Sequence, residues 1–243
     1  MSFSISAIKK NAINAIFDRK NRVLLSAGVF WILTYGLMIL YSGLSGYTTY
    51  ATAVYNALLN SGYDAALSLN WPDTGTVAIL LALVCMAMHL ILAQGFRGYC
   101  LMALRGEEVK FRDIFNCFNF PVKILVIKLL QYFAVWLGSM CFVVPGILAY
   151  YSFRLAIYIL YDHPEYSAIA CLLESFRMMR GKRLSLFMLD LSMLGWFVAR
   201  EIVALFIIPF VDIWVVPYRY TVLAGFYDHL VALENRPDDI ASI

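Results

Sequence analysis

Long apolar runs alternate with short polar segments along the whole chain. Six runs carry few charges: residues 23–44, 76–104, 124–144, 146–161, 184–198 and 202–226. In a helix, about 20 apolar residues cross a hydrocarbon core of about 30 Å. A tight turn at Pro145-Gly146 is expected to join the third run to the fourth. The pattern therefore predicts an all-α fold, a polytopic transmembrane helix bundle with six spans.

The polar segments predict amphipathic surface helices around a membrane domain of residues 23–227. In residues 1–22, an apolar stripe at helical spacing indicates a helix lying on a membrane surface. That stripe is Ile5, Ile8, Ala12 and Ile16. The other polar segments are an outer loop 45–75, cytoplasmic connectors 105–121 and 162–183, and a tail 228–243. The connectors carry their own stripes, Phe111, Ile114, Phe115 and Phe118 in one and Ile169, Leu172, Leu173, Phe176 and Met179 in the other.

Composition supports a membrane protein. Hydrophobic residues make up 62% of the 243 residues and charged residues only 14%, against about 45–50% and about 25% in a soluble domain. This excess of apolar surface requires a lipid solvent, so the lipid bilayer is the expected partner. The net charge of +3 gives no indication of a nucleic acid partner. The five cysteines lie in spans or connectors without a C-x-x-C motif, which predicts neither a disulfide framework nor a zinc site.

Lysine and arginine are distributed very unevenly between the two predicted sides of the membrane. Fifteen fall in residues 1–22, 97–123, 162–183 and the tail, while Arg200 lies on the other side. Basic residues near span ends mark the cytoplasmic face. We therefore expect a multi-pass protein of the cell membrane with both termini in the cytoplasm, its six spans forming three hairpins.

Three arginines lie inside the apolar runs at matching distances from their cytoplasmic ends. Arg154 precedes Asp162 by eight residues, Arg219 precedes Asp228 by nine, and Arg97 precedes Arg105 by eight. Eight helical residues correspond to about 12 Å, so the three arginines are expected to share one depth. Gln131 and Asp190 should lie near that depth on the preceding spans, because they follow Lys123 and Arg183 by eight and seven residues.

This arginine layer has two interpretations. In the structural one, Arg154 pairs with Asp190, and the other arginines reach headgroups or backbone carbonyls freed by Pro217. In the functional one, Arg97, Arg154, Arg219, Asp190 and Gln131 line a cytoplasm-facing cavity that binds an anion, either a lipid phosphate or an acidic solute. The aromatic residues beside the arginines, Phe96, Phe153 and Tyr218, would then wall the cavity.

Other candidate chemistry is sparse. Two Asp-His pairs at helix ends are weak metal candidates, Asp162 with His163 and Asp228 with His229. A histidine near a helix C-terminus more often complements the helix dipole, so no metal site is predicted. The sequence has no G-x-S-x-G, H-E-x-x-H or phosphate-loop motif, and we expect neither an enzyme nor a cofactor. The predicted function is binding or transport of an anionic lipid or solute; the alternative is a scaffold or regulatory partner acting through its cytoplasmic amphipathic helices.

Residues about 95–230 resemble the domain of unknown function 975 family of bacterial membrane proteins. The residues that carry the resemblance are Arg105-Gly106-Glu107, Phe115, Phe118, Pro145-Gly146-Ile147, Tyr151-Ser152, Tyr158-Ile159-Leu160, Asp162, Pro164, Ser175, Met179, Gly181, Leu191-Ser192, Gly195-Trp196, Pro217-Tyr218 and Phe226-Tyr227. The resemblance implies a polytopic membrane protein and carries over no activity.

Overall fold

The computed structural model describes residues 4–18, 22–206 and 211–234, and these residues form helices without a strand. The α-helices are α1 Ile5–Phe17, α2 Val23–Leu44, α3 Tyr47–Asn60, α4 Tyr63–Leu67, α5 Thr76–Leu104, α6 Pro121–Cys141, α7 Val143–Ser152, α8 Ala156–Asp162, α9 Ala168–Met178, α10 Arg183–Leu191, α11 Leu194–Phe206 and α12 Asp212–Glu234. A 3₁₀ helix spans Phe111–Asn119. The chain divides into two compact units, one of residues 32–93 and one of residues 1–31 with 94–243. The candidate site lies in the second unit.

Four helical segments of the described residues are long and apolar enough to cross a membrane. They are Val23–Leu44, Thr76–Leu104, Pro121–Met140 and Val143–Asp162, which correspond to the first four predicted spans. The predicted spans 184–198 and 202–226 are not among the four. The first coincides with α10 and α11, which are interrupted at Ser192 and Met193, and residues 207–210 of the second lie outside the described residues. Six spans and three hairpins therefore remain a prediction.

The junction between the third and fourth predicted spans differs from the expected turn. Helix α6 ends at Cys141, Phe142 is extended with φ −169° and ψ 158°, and α7 begins at Val143. Pro145 lies in the first turn of α7, where its missing N–H breaks no helical hydrogen bond. Gly146 is not in a turn but allows α7 to pack closely on α6, since a Cβ there would lie 2.2 Å from Ser139 Oγ. The predicted turn at Pro145-Gly146 is thus wrong by three residues.

Helix α1 is amphipathic as predicted, but its apolar stripe contacts protein where a membrane surface was expected. Ile8, Ala12 and Ile16 are buried, and α1 packs against α12. A Cβ on Gly225 of α12 would lie 3.1 Å from the Ile8 side chain, so glycine allows the two helices to approach closely. Lys9 Nζ also donates to the Ser192 carbonyl at 2.8 Å, in the interruption between α10 and α11.

The predicted outer loop 45–75 is largely helical, because α3 and α4 occupy most of it. Gly46 begins α3 with φ +74°, a conformation that glycine adopts without strain. The segment is held by Trp71, whose indole N–H donates to the Ser45 carbonyl at 3.0 Å and whose ring lies against Tyr50. Helix α3 buries none of its residues.

The two connectors form the predicted helices, but each stripe divides between two faces. In the 3₁₀ helix, Ile114 and Cys117 are buried, whereas Phe115 and Phe118 are each 37% exposed. In α9, Cys171, Leu172 and Ser175 face inward. The outward residues of α9 are Ile169, Leu173 and Phe176. Both connectors therefore present apolar side chains outward as well as inward.

Candidate functional site

Arg154 lies in a break of the helix in which the sequence placed it. Helix α7 ends at Ser152 and α8 begins at Ala156, so the fourth predicted span is present but is interrupted at residues 153–155. Ser152 Oγ donates to the Leu148 carbonyl of its own helix at 2.5 Å, a local bond that bends helices. Ser175 of α9 completes the break: its hydroxyl donates to the Ser152 carbonyl at 2.7 Å and accepts from the Leu155 N–H at 3.2 Å.

The guanidinium of Arg154 forms a two-pronged ion pair with Asp190 of α10. Its Nη1 bonds Oδ2 of the carboxylate, and its Nη2 donates to Oδ1 at 3.1 Å. The Tyr151 hydroxyl donates to Oδ2 at 3.1 Å. Arg154 is only 4% exposed. Its position in the break between α7 and α8 places the guanidinium against the carboxylate of Asp190. The structure confirms the predicted contact between Asp190 and an arginine of the layer.

Two further cations lie close to Arg154. Lys128 of α6 is 6% exposed and donates to Gln131 Oε1 at 3.0 Å. Arg97 of α5 lies over the Tyr220 ring at 4.8 Å. Burial is the main cost of a positive charge on Lys128, and the charges of Arg97 and Arg154 add to that cost. We call Arg97, Lys128 and Arg154 the cation cluster.

The cation cluster holds less negative charge than positive charge among its described partners. Asp190 neutralises Arg154, whereas the partner of Lys128 is the neutral amide of Gln131. Arg97 Nε is buried and has no hydrogen-bond partner among the described residues. An unsatisfied charged donor is costly in a low-dielectric site. The geometry therefore suits an additional acceptor that carries negative charge.

Arg219 of α12 joins the cation cluster through an aromatic ring. Its Nη2 lies 3.5 Å from the Tyr150 hydroxyl, and the same Tyr150 ring lies 5.4 Å from the Arg154 guanidinium. Of the five predicted binding residues, Arg97, Arg154, Asp190 and Gln131 therefore belong to one network, and Arg219 borders it.

The aromatic residues that contact the arginines are not the predicted ones. Phe96 stacks on Phe30, Phe153 lies near Phe176, and Tyr218 stacks on Trp214. The rings over the guanidinium groups are Tyr150 and Tyr151 for Arg154 and Tyr220 for Arg97. The walls of the site are thus tyrosines, which provide hydroxyl groups as well as ring faces.

The helix ends below the arginine layer meet at Arg105. Its guanidinium donates to both oxygens of Asp162, at 2.6 and 2.8 Å, and to Asp228 Oδ1 at 2.7 and 3.0 Å. The Tyr227 hydroxyl adds a hydrogen bond to Asp162 at 2.8 Å. The two carboxylates, chiefly Asp162, hold the pKa of Arg105 well above its ordinary value. This Arg105 network joins the C-terminal ends of α5 and α8 to α12.

The weak metal candidates have other partners. Asp162 and Asp228 converge on Arg105, and His163 Nδ1 lies 3.2 Å from a Glu165 carboxylate oxygen while its ring stacks on Tyr166. Within residues 4–18, 22–206 and 211–234, no group of three or more His, Cys, Asp or Glu side chains is placed to hold a metal ion. The two aspartates lie close together, but the Arg105 guanidinium lies between them.

Arg200, which the sequence places on the side opposite the other basic residues, pairs with two nearby carboxylates. Arg200 of α11 donates from Nε to Asp212 Oδ1 at 2.5 Å and from Nη1 to Glu201 at 3.1 Å. Asp212 begins α12, where a carboxylate complements the helix dipole. Asp212 is therefore a counter-charge to Arg200.

Several cavities lie among the described residues of this unit, and two of them bear on the candidate site. A groove of about 400 Å³ runs between α6, α7 and α10, and Tyr150 and Tyr151 form part of its wall. A larger cleft of about 1010 Å³ lies between α1, the end of α5 and α12, and none of its lining residues belongs to the cation cluster. Its carboxylate Asp228 is already engaged by Arg105. The groove is therefore the cavity that adjoins the candidate site.

The comparison with known families falls on the same part of the molecule. Residues 141–234 match the model of a family described as Protein of unknown function (DUF975). The match confirms the resemblance for this part of the chain. The DUF975 region contains Arg154, Asp190 and Arg219, whereas Arg97 and Lys128 lie before it. No curated protein and no solved structure matches the chain.

Sequence reasoning missed Lys128. The signal was present, because Lys128 is a charged residue inside the apolar run 124–144, as Arg154 is inside its own run. It also precedes Gln131 by three residues, a spacing that places both on one helix face.

Proposed function

We propose that this chain is an integral membrane protein that binds an anionic group at the cation cluster. The chemistry is that of a phosphate-type or carboxylate anion, supplied by a lipid headgroup or by a free acidic solute. The observation that carries the proposal is the buried Nε of Arg97, which has no hydrogen-bond partner in the described structure and lies within electrostatic range of Arg154.

The energetics favour an anion over a purely structural role. Each charge held in the membrane interior costs about 2.5–3.5 kcal/mol on insertion scales. Among the described residues, Arg154 has a carboxylate partner, Lys128 has a neutral amide partner and Arg97 Nε has none, so part of that cost is not compensated. An anion would accept from Arg97 and reduce the repulsion between all three groups.

The test is thermal unfolding of purified protein in zwitterionic detergent with added phosphatidylglycerol or phosphatidylcholine. Wild-type protein should be stabilised more by phosphatidylglycerol. Arg97→Gln and Lys128→Gln should each reduce that preference. The matched control is Arg180→Gln, which removes an exposed arginine of the α9 segment and should retain the preference.

The same variants separate ligand binding from structural support. Arg97→Gln loses a cation–π contact of about 0.5–2 kcal/mol but relieves repulsion inside the cation cluster. Without anionic lipid it should therefore be about as stable as wild type. A large loss of stability with an unchanged lipid preference would assign Arg97 a structural role and contradict the proposal.

A second candidate function is a membrane scaffold, which the outward apolar face of α9 favours. Ile169 and Leu173 are 60% and 64% exposed on this helix. A partner protein bound there should co-purify from native membranes with wild type and be lost with Leu173→Glu. Co-purification that Leu173→Glu leaves unchanged would remove this candidate.

A further inference from the structure

The groove between α6, α7 and α10 has the lining expected of an acyl-chain site. Its walls include Val135 of α6, Ile147 of α7 and Phe187 of α10. Ser139 contributes a hydroxyl, but that hydroxyl donates to the Val135 carbonyl of its own helix at 2.8 Å. The α6 and α7 walls of the groove belong to segments long and apolar enough to cross a membrane. Its volume of about 400 Å³ falls in the range of ligand sites, roughly 300–1,000 Å³.

Gly146 brings two walls of the groove together. A Cβ at position 146 would overlap the Ser139 hydroxyl, so α6 and α7 pack closely at this point. Gly146 and Ser139 both line the groove. The close contact of α6 and α7 therefore forms one boundary of the groove.

Two tyrosines connect the groove to the cation cluster. Tyr150 and Tyr151 line the groove, and both rings lie within 6 Å of the Arg154 guanidinium, at 5.4 and 5.8 Å. The hydroxyl of Tyr151 bonds Asp190, and that of Tyr150 lies next to Arg219. One end of the groove is therefore electropositive and polar, while the remainder is apolar.

We propose that the groove holds an acyl chain of an anionic lipid whose headgroup lies at the cation cluster. This inference rests on the proposed function and selects a membrane lipid over a free anion as the ligand. Charge complementarity fixes the orientation of the lipid, because the basic groups lie beyond Tyr150 and Tyr151 at one end of the groove. A free anion would need the cation cluster alone.

Binding of two probes distinguishes the sources of the anion. The probes are phosphatidylglycerol with 16- and 18-carbon chains and glycerophosphoglycerol, the same phosphodiester headgroup without chains. Wild type should bind the lipid at least about tenfold more tightly, a factor that corresponds to the burial of about two CH₂ groups. Equal affinities would overturn the acyl-chain proposal and leave the anion site standing, whereas binding of neither probe, or binding insensitive to Arg97→Gln, would overturn the proposed function itself.

A pair of tryptophan variants tests the groove directly. Ile147→Trp should fill it and weaken lipid binding about tenfold, again the equivalent of about two CH₂ groups, while leaving glycerophosphoglycerol binding unchanged. Leu148→Trp is the matched control, since Leu148 is the next residue of α7, is 43% exposed and does not line the groove. Equal lipid binding by the two variants would contradict the proposal.

A crosslinking measurement needs no variant. A phosphatidylglycerol analogue with a diazirine in one acyl chain should label peptides that contain Val135, Ile147 or Phe187. Excess unlabelled phosphatidylglycerol should suppress that labelling and phosphatidylcholine should not. Labelling that is uniform over the exposed faces of α6 and α7, or that both lipids suppress equally, would show that the groove holds no specific chain.

Discussion

At the scale of single residues, the rise of a helix was enough to predict which charged residues lie near one another. The aromatic contacts of the arginines were predicted wrongly, because they depend on the rotation around the helix axis. Counting residues from the ends predicted to be cytoplasmic put Arg97, Arg154, Asp190 and Gln131 at one depth, because each helical residue adds a fixed length of about 1.5 Å. The aromatic contacts of Arg154 are its i−4 and i−3 neighbours, Tyr150 and Tyr151. Adjacent residues such as Phe153 point about 100° away around a helix, so chain adjacency was the wrong criterion.

The pair formed by Arg154 and Asp190 predicts a strong thermodynamic coupling. Arg154→Gln should destabilise the protein by roughly 3 kcal/mol, because it leaves the carboxylate of Asp190 poorly paired in a largely buried site. Asp190→Asn should have a similar effect for the converse reason. The double variant should recover roughly 1 kcal/mol or more in a cycle measured by unfolding of detergent-solubilised protein. Strictly additive losses would show that the two charges do not interact.

At the scale of elements, tertiary contacts determine where the fourth predicted span is interrupted and what α1 packs against, and the sequence pattern predicted neither. The run 146–161 reads as one helix, and the break at residues 153–155 depends on Ser175, which lies twenty residues further along the chain. Ser152 was a local cue, since its hydroxyl competes for a helical carbonyl. Similarly, the apolar stripe of α1 correctly predicted an amphipathic helix. No local feature of that stripe shows whether it contacts a lipid surface or, as in the structure, the face of α12.

Ser175→Ala should weaken the broken helix more than an ordinary serine substitution. It leaves the Ser152 carbonyl and the Leu155 N–H buried without their partner, at a cost of about 2 kcal/mol. Ser42→Ala is the matched control, because the Ser42 hydroxyl bonds only the Ile39 carbonyl of its own helix, and its effect should stay within about 0.5 kcal/mol. Equal unfolding free energies for the two variants would show that α9 does not hold the break.

At the scale of the whole molecule, composition predicted the membrane class, and the distribution of basic residues predicts the orientation. Four apolar segments long enough to cross a membrane support the class. The Arg105 network brings together helix ends that the count of basic residues assigns to the cytoplasmic side. The number of spans was harder to predict, since α10 and α11 are short and α11 contains Arg200 and Glu201 within its helix.

The predicted orientation places residues 45–75 outside the cell and both connectors in the cytoplasm. Single cysteines at Lys110, Arg180 and Asp64, introduced into protein without its five native cysteines, report this with a membrane-impermeant reagent. In intact cells, Asp64→Cys should be labelled, while Lys110→Cys and Arg180→Cys should react only after permeabilisation. Labelling of either connector from outside, or protection of position 64, would reverse the orientation.

The central claim is that Arg97, Lys128 and Arg154 form an anion site. Diffraction from crystals of delipidated protein soaked in selenate, a tetrahedral dianion with an anomalous signal, tests it most directly. The account predicts an anomalous peak whose anion oxygens lie about 3 Å from Arg97 Nε, absent in Arg97→Gln crystals. Peaks at exposed arginines such as Arg180 with none at the cation cluster would contradict it.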